Sequence, residues 1–97
     1  MKITITVTET NTREIEVPTY LQSTKYPQAF MMLVGEKCFL KIDTKDIDFQ
    51  FGIYPSIEIM AIYQLQIYTK DGFNEISEDQ FKQKFTETTL KIESLLN

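Results

Sequence analysis

The sequence predicts an α+β fold, in which an antiparallel sheet of five or six strands carries one C-terminal helix on a sheet face. Apolar and polar residues alternate with period two in several segments before residue 70, which indicates half-buried strands. Near the C-terminus the apolar residues instead follow the three-four spacing of an amphipathic helix. The 97 residues include only three Gly and three Pro, and 42% are hydrophobic, so we expect one compact domain over residues 1–97.

The first predicted element is a hairpin. Residues 3–7 alternate isoleucine or valine with threonine, and residues 14–17 alternate glutamate with isoleucine and valine. Residues 9–12 have the composition of a turn, and Pro18 ends the second strand because proline lacks the N–H that a sheet ladder needs. Residues 19–28 are predicted to be a polar connection.

A second hairpin follows. Residues 29–34 are apolar on both faces, as expected of a central strand, and residues 37–43 alternate again. Between these segments, Gly35 and Glu36 can form a two-residue turn with Gly supplying the positive φ angle. The chain therefore supplies two hairpins to the predicted sheet.

Two further strands are predicted before the helix. Residues 46–53 alternate polar and apolar side chains and favour a short strand. Residues 57–69 are apolar at period two, and their isoleucine and tyrosine content favours a long strand. The alternative is a helix that begins at Pro55 and Ser56, because some of the same apolar residues also fit helical spacing. Residues 70–72 are predicted to be a turn.

A helix is predicted over about residues 78–96. Ser77 and Gln80 have the spacing of a capping box, and Ile76 and Phe81 that of a hydrophobic staple. The predicted apolar stripe comprises Phe81, Phe85, Thr88, Ile92 and Leu95. Glu78 with Lys82 and Glu87 with Lys91 are spaced for ion pairs one turn apart.

Composition excludes several classes of function. Ten basic residues stand against fourteen acidic ones, and the basic residues are scattered, which disfavours direct nucleic-acid binding. The chain has no histidine and no glycine-rich phosphate loop, so we assign no catalytic, cofactor-binding or metal-binding residue and expect no cofactor. Asp43, Asp46 and Asp48 lack the spacing of a calcium loop.

Cys38 is the only cysteine, which favours a cytoplasmic location, and no apolar run is long enough to cross a membrane.

The aromatic residues point to a binding function. They make up 12% of the chain, and Phe39 alternates with Lys37 and Lys41, which places it on the outer face of the sheet in this interpretation. One helix covers one sheet face, so the other face needs a cover, either residues 19–28 or another protein. We therefore expect a small acidic, non-enzymatic protein-interaction module, such as an adaptor, an inhibitor or an accessory protein of a bacterium or phage. It would form a homodimer or bind a protein partner through an apolar sheet face. The candidate interface residues are Phe39, Phe49, Phe51, Tyr54, Tyr63 and Tyr68.

Two alternatives are kept. The first is a DNA mimic that inhibits a nucleic-acid-binding protein; it requires five acids to align on one surface, namely Asp46, Asp48, Glu58, Asp71 and Glu75. The second is a small enzyme that uses carboxylate and tyrosine chemistry, with Glu58 beside Tyr63 or Tyr68.

Overall fold

The structure, a computed structural model, describes residues 1–6, 12–35, 37–61 and 72–96, with the backbone alone for residues 5, 6, 12 and 13. These residues form strands β1 (Lys2–Thr6), β2 (Thr12–Glu16), β3 (Thr19–Ser23), β4 (Ala29–Leu33), β5 (Cys38–Asp43), β6 (Ser56–Ala61) and β7 (Phe73–Ile76), followed by helix α1 (Glu78–Ser94). The α+β prediction is confirmed.

The strands belong to two antiparallel sheets. β3 to β7 form a five-stranded sheet in the order β6-β5-β4-β3-β7, so that β3 to β6 run as a meander and β7 returns beside β3. β1 and β2 form the predicted first hairpin, with Ile3 opposite Ile15, but this hairpin is a separate two-stranded sheet.

Helix α1 covers one face of the large sheet. Its buried Phe81 packs with Phe30 and Ile42, and its ring lies 5.2 Å from the ring of Tyr20. Further partly buried residues complete this cluster, namely Met32, Leu40, Ile57 and Ile76. Because side chains alternate across a strand, the neighbouring residues of β4 and β5 point to the opposite face.

The N-terminal hairpin covers part of that opposite face. Ile3 and Val17 form a second buried cluster with Met31, Leu33 and Phe39. Partly buried Ile15, Leu21, Met60 and Phe73 pack against it. The first hairpin therefore covers part of the second face, so the expectation that residues 19–28 or another protein must cover all of it is wrong.

The structure differs from the prediction in three segments. Residues 19–28 were expected to be a connection, but Thr19–Ser23 is strand β3, a central strand paired on both sides. Residues 46–53 do not form the predicted strand, because residues 48–53 are a turn closed by a single bridge. The short strand Phe73–Ile76 was not predicted. Both central strands of the second hairpin, β4 and β5, are confirmed.

Several expectations concern residues outside the described part of the chain. These are the turn of the first hairpin and residues 62–71, which include most of the predicted long strand and the start of the following turn. Residue 36 also lies outside, but the described Gly35 has no positive φ and Leu33 pairs with Phe39, so the predicted two-residue turn with a positive φ at Gly35 is wrong. The first part of the predicted long strand is described and is a strand, β6 (Ser56–Ala61). The helix alternative is therefore wrong for these six residues.

The start of α1 agrees with the sequence in detail. Gln80 N–H donates to Ser77 Oγ at 3.1 Å, and Ser77 N–H donates to Gln80 Oε1 at 3.0 Å, which completes the capping box. Ile76 packs in the cluster of Phe81, as expected of a hydrophobic staple.

Of the two predicted helical ion pairs, only one forms. Lys82 lies 2.9 Å from Glu78, as expected. The prediction that Glu87 pairs with Lys91 is wrong, because Glu87 pairs with Lys84 at 3.3 Å. The Lys91 side chain instead contacts the loop between β5 and β6.

Candidate functional site

The candidate site is a turn between β5 and β6 that holds aromatic side chains in solvent. Asp48 and Ile53 form a reciprocal pair of backbone hydrogen bonds, at 2.9 and 3.0 Å. The bridge closes a loop of four residues, Phe49, Gln50, Phe51 and Gly52. We call residues 48–54 the aromatic turn.

The side chain of Asp48 fixes the inside of the aromatic turn. Its Oδ1 accepts hydrogen bonds from the N–H of Gln50 at 3.0 Å and of Phe51 at 3.4 Å. An aspartate that binds the backbone two residues ahead is a common turn former. Gly52 then adopts φ +67°, which a side chain would disfavour. The aromatic turn is thus organised by its own backbone and by one carboxylate.

The segment before the aromatic turn is attached to the rest of the fold. Lys91 Nζ donates to the carbonyl of Thr44 at 3.0 Å and to Asp46 Oδ1 at 3.1 Å, which joins the loop to helix α1. Thr44 N–H donates to the carbonyl of Gln28 at 3.0 Å. On the other side, Pro55 is buried directly before β6. The turn therefore projects from a fixed base.

The aromatic turn presents several apolar side chains to solvent. Phe49 and Phe51 are each 71% exposed, and Tyr54 is 44% exposed. The rings of Phe49 and Tyr54 meet edge to face, with centroids 5.8 Å apart. Ile53 beside them is also exposed. Apolar side chains that stay exposed on an ordered turn forgo about 1.5–3 kcal/mol each of burial free energy.

The predicted interface residues therefore separate into three groups. Phe49, Phe51 and Tyr54 all lie exposed in the aromatic turn, where the rings of Phe49 and Tyr54 are in contact. Phe39 is fully buried under the N-terminal hairpin, so its predicted place on an open surface is wrong. Tyr63 and Tyr68 lie outside the described residues.

Sequence reasoning missed the apolar neighbour Ile53 and the form of the segment. The alternation of residues 46–53 is shared by a strand and by a turn with apolar side chains, so period alone does not distinguish them. The signal that distinguishes them is Asp48 followed four residues later by Gly52, a turn former and a residue that tolerates positive φ.

Within the described residues, the acids of the DNA-mimic alternative do not form a continuous patch. Glu58 on β6 and Glu75 on β7 lie on the two outer strands of the sheet, about 19 Å apart at the usual strand spacing. Asp46 faces helix α1, where it pairs with Lys91, and Asp48 is used inside its turn. Asp71 lies outside the described residues.

The acids considered for calcium are likewise used in separate contacts. Asp43 pairs with Lys45 at 3.3 Å, whereas Asp46 and Asp48 make the contacts given above. Within residues 1–6, 12–35, 37–61 and 72–96, no three Asp, Glu, Cys or His residues lie together in a way that could hold a metal ion. Cys38 is a free, half-buried thiol.

Comparison with known proteins does not identify the site. No family model matches the chain, and neither a curated protein nor a solved structure shows significant similarity to it. Among the described helical residues, no segment has the length and apolar character needed to span a membrane. The functional argument therefore depends on the residues themselves.

Proposed function

We propose that the protein is a small, non-enzymatic protein-interaction module and that the aromatic turn is its contact surface. One observation carries the proposal: Phe49, Phe51 and Tyr54 are exposed on a turn whose backbone is fixed by the Asp48 side chain and by a two-bond bridge. Aromatic residues are enriched in protein interfaces, because they offer a large contact area with few rotatable bonds.

The fixed backbone also favours binding. A loop that is ordered before association loses little conformational entropy when a partner docks, so more of the burial free energy appears as affinity. If Phe49 and Phe51 are each buried in a partner, about 1.5–3 kcal/mol per side chain becomes available. These two residues are thus the expected centre of the interface.

The two alternative functions have less support. The DNA-mimic proposal requires a continuous acidic surface, and the described acids Glu58 and Glu75 stand on opposite outer strands. The enzyme proposal lacks a histidine anywhere in the 97 residues, and its tyrosines lie outside the described part of the chain. A cytoplasmic location remains part of the proposal, supported by the single cysteine.

The partner is either a second copy of the chain or another protein, and two measurements separate these. Sedimentation equilibrium at micromolar concentrations reports self-association, which should be lost in the Phe49→Ser, Phe51→Ser double variant. Affinity capture from native lysate with the wild type and the double variant reports other partners.

Leu90→Ser is the matched control, because Leu90 is an exposed apolar residue on helix α1. We expect the wild type and Leu90→Ser to give the same complex, and the double variant to lose it. A complex that survives the double substitution, or that Leu90→Ser removes equally, would contradict the proposal.

A further inference from the structure

A cavity lies on the hairpin-covered face of the large sheet. It has a volume of about 270 Å³ and is lined by residues of β3, β4, β5 and β7 and of the two loops after β3 and β5. The N-terminal hairpin packs around Phe39 and Leu33, toward one end of the strands. The cavity is at the other end, around Ala29 and Asp43, which are partners in the sheet. None of the described hairpin residues lines it.

Two small residues on neighbouring strands explain why space remains at this end. Ser23 is the last residue of β3 and Ala29 is the first of β4, and the two strands pair antiparallel. Phe73 stands opposite Ser23 on β7, and Asp43 stands opposite Ala29 on β5. The two short side chains therefore lie between longer ones, which leaves a depression over the sheet.

The floor of the cavity is apolar. Ala29, Met31 and Phe73 line it, and the first two are buried strand residues. Apolar groups with a few placed polar atoms are the usual lining of a small-molecule site. An engineered cavity of about 150 Å³ holds benzene, so the present volume can take one ring with a polar substituent.

The charges at the cavity are arranged in opposite pairs. Asp43 is 7% exposed and pairs with Lys45 Nζ at 3.3 Å, and its other oxygen accepts from the Lys45 N–H at 3.2 Å. Lys41, the other lysine of the lining, stands opposite Glu58 in the register of β5 and β6. A charged ligand would enter this site without a counter-charge and would lose its hydration, which is costly, so the cavity favours a neutral ligand.

A buried hydroxyl at the cavity has a proton to donate. Ser23 is 3% exposed, and its Oγ accepts a hydrogen bond from the N–H of Tyr26 at 3.0 Å. A serine hydroxyl can also donate one hydrogen bond, and within residues 1–6, 12–35, 37–61 and 72–96 no group accepts it. Because buried polar groups are almost always hydrogen-bonded, this donor favours a ligand that carries an acceptor oxygen.

A second polar group of the lining has both a donor and an acceptor. Gln28 is half-buried, and its side-chain amide offers an oxygen and an NH₂ group. A carboxamide on the ligand can use both neighbours. Its carbonyl oxygen accepts from the Ser23 hydroxyl, and its NH₂ donates to the Gln28 side-chain oxygen.

We propose that this cavity binds a neutral carboxamide with a one-ring apolar body. The ring lies on Ala29, Met31 and Phe73, and the carboxamide lies at Ser23 and Gln28. This binding function is independent of the aromatic turn, which lies in another loop and contributes no residue to the cavity lining.

Benzamide and its charged analogue benzoate test the proposal. Titration of the ¹⁵N-labelled protein with each compound is followed by amide chemical shifts. We expect benzamide to saturate and to shift the amides of Ser23, Ala29, Asp43 and Phe73. Benzoate should bind about tenfold or more weakly than benzamide, because its charge has no partner in the cavity. Shifts that spread over the surface without saturation, or benzoate binding as tightly as benzamide, would overturn the proposal.

Two variants assign the contacts, with toluene as a ring that lacks the carboxamide. Ser23→Ala removes one hydrogen bond, so benzamide should bind about fivefold more weakly while toluene is unaffected. Ala29→Val reduces the cavity with a residue suited to a strand, and it should weaken both compounds. Ser94→Ala, at the end of the helix, is the matched control and should change neither. Unchanged benzamide affinity in folded Ser23→Ala or Ala29→Val, or an equal loss for toluene in Ser23→Ala, would refute the assignment.

Discussion

The substitution Phe39→Ala tests how the N-terminal hairpin covers the sheet. Phe39 is fully buried in the cluster that joins Ile3 and Val17 of the hairpin to β4 and β5. A buried phenylalanine removes roughly 150–250 Å² from water, and at about 25 cal/mol per Å² most of the corresponding free energy is lost when only a methyl group remains. With the cavity that is left behind, the expected loss is about 3–5 kcal/mol.

Urea unfolding followed by circular dichroism measures this loss. Since a domain of this size has a total stability of about 5–15 kcal/mol, the milder Phe39→Leu should also be measured, with an expected cost of about 1–1.5 kcal/mol. Phe49→Ala is the matched control: its ring is exposed, so its cost should stay within about 0.5 kcal/mol. If Phe39→Ala cost less than about 1 kcal/mol, or no more than Phe49→Ala, the packing of the hairpin on this face would be refuted.

Three other predictions follow from the helix and its contacts. Ser77→Ala should lower the free energy of unfolding by about 1 kcal/mol through loss of the capping box, and an unchanged urea midpoint would contradict it. The hydrogen bond from Lys82 holds the pKa of Glu78 below its ordinary value of 4.5. The small stabilisation from this pair is therefore present at neutral pH and is lost as pH falls through the lowered pKa. In Lys82→Met, NMR titration should show the pKa of Glu78 returning to its ordinary range. Lys91→Met should lower the free energy of unfolding by about 0.5–1.5 kcal/mol and speed amide exchange in the aromatic turn, because the hydrogen bond to the Thr44 carbonyl is lost. Unchanged exchange would show that Lys91 does not hold the loop.

The sequence predicts the local elements well where a residue type has one strong preference. The capping box at Ser77, the strands on either side of Gly35 and the alternation of the first hairpin each follow from neighbours in sequence, and the structure contains all of them. Thr19–Ser23 was not predicted as a strand, because Pro18 before it and the polar residues within and after it resemble a connection, although the strand is paired on both sides in the sheet.

Long-range packing is what the sequence leaves open. Alternation shows which side chains of one strand share a face, but it does not show which element packs on that face. The N-terminal hairpin packs on this face because its Ile3 and Val17 place apolar side chains against it. This packing is determined by tertiary contacts and not by neighbours in sequence. The same limit applies to the candidate site, since Phe39 and Phe49 look alike in sequence and have opposite exposure in the structure.

Site-specific photocrosslinking tests the central claim, which is that the aromatic turn contacts a protein partner. Phe51 would be replaced by benzoylphenylalanine in the full-length chain, and Leu90 in a second variant, before irradiation in native lysate. The account predicts a discrete crosslinked species from position 51, either a dimer of the chain or a complex with another protein, and none from position 90. Absence of any crosslink at position 51, or the same products at both positions, would contradict it.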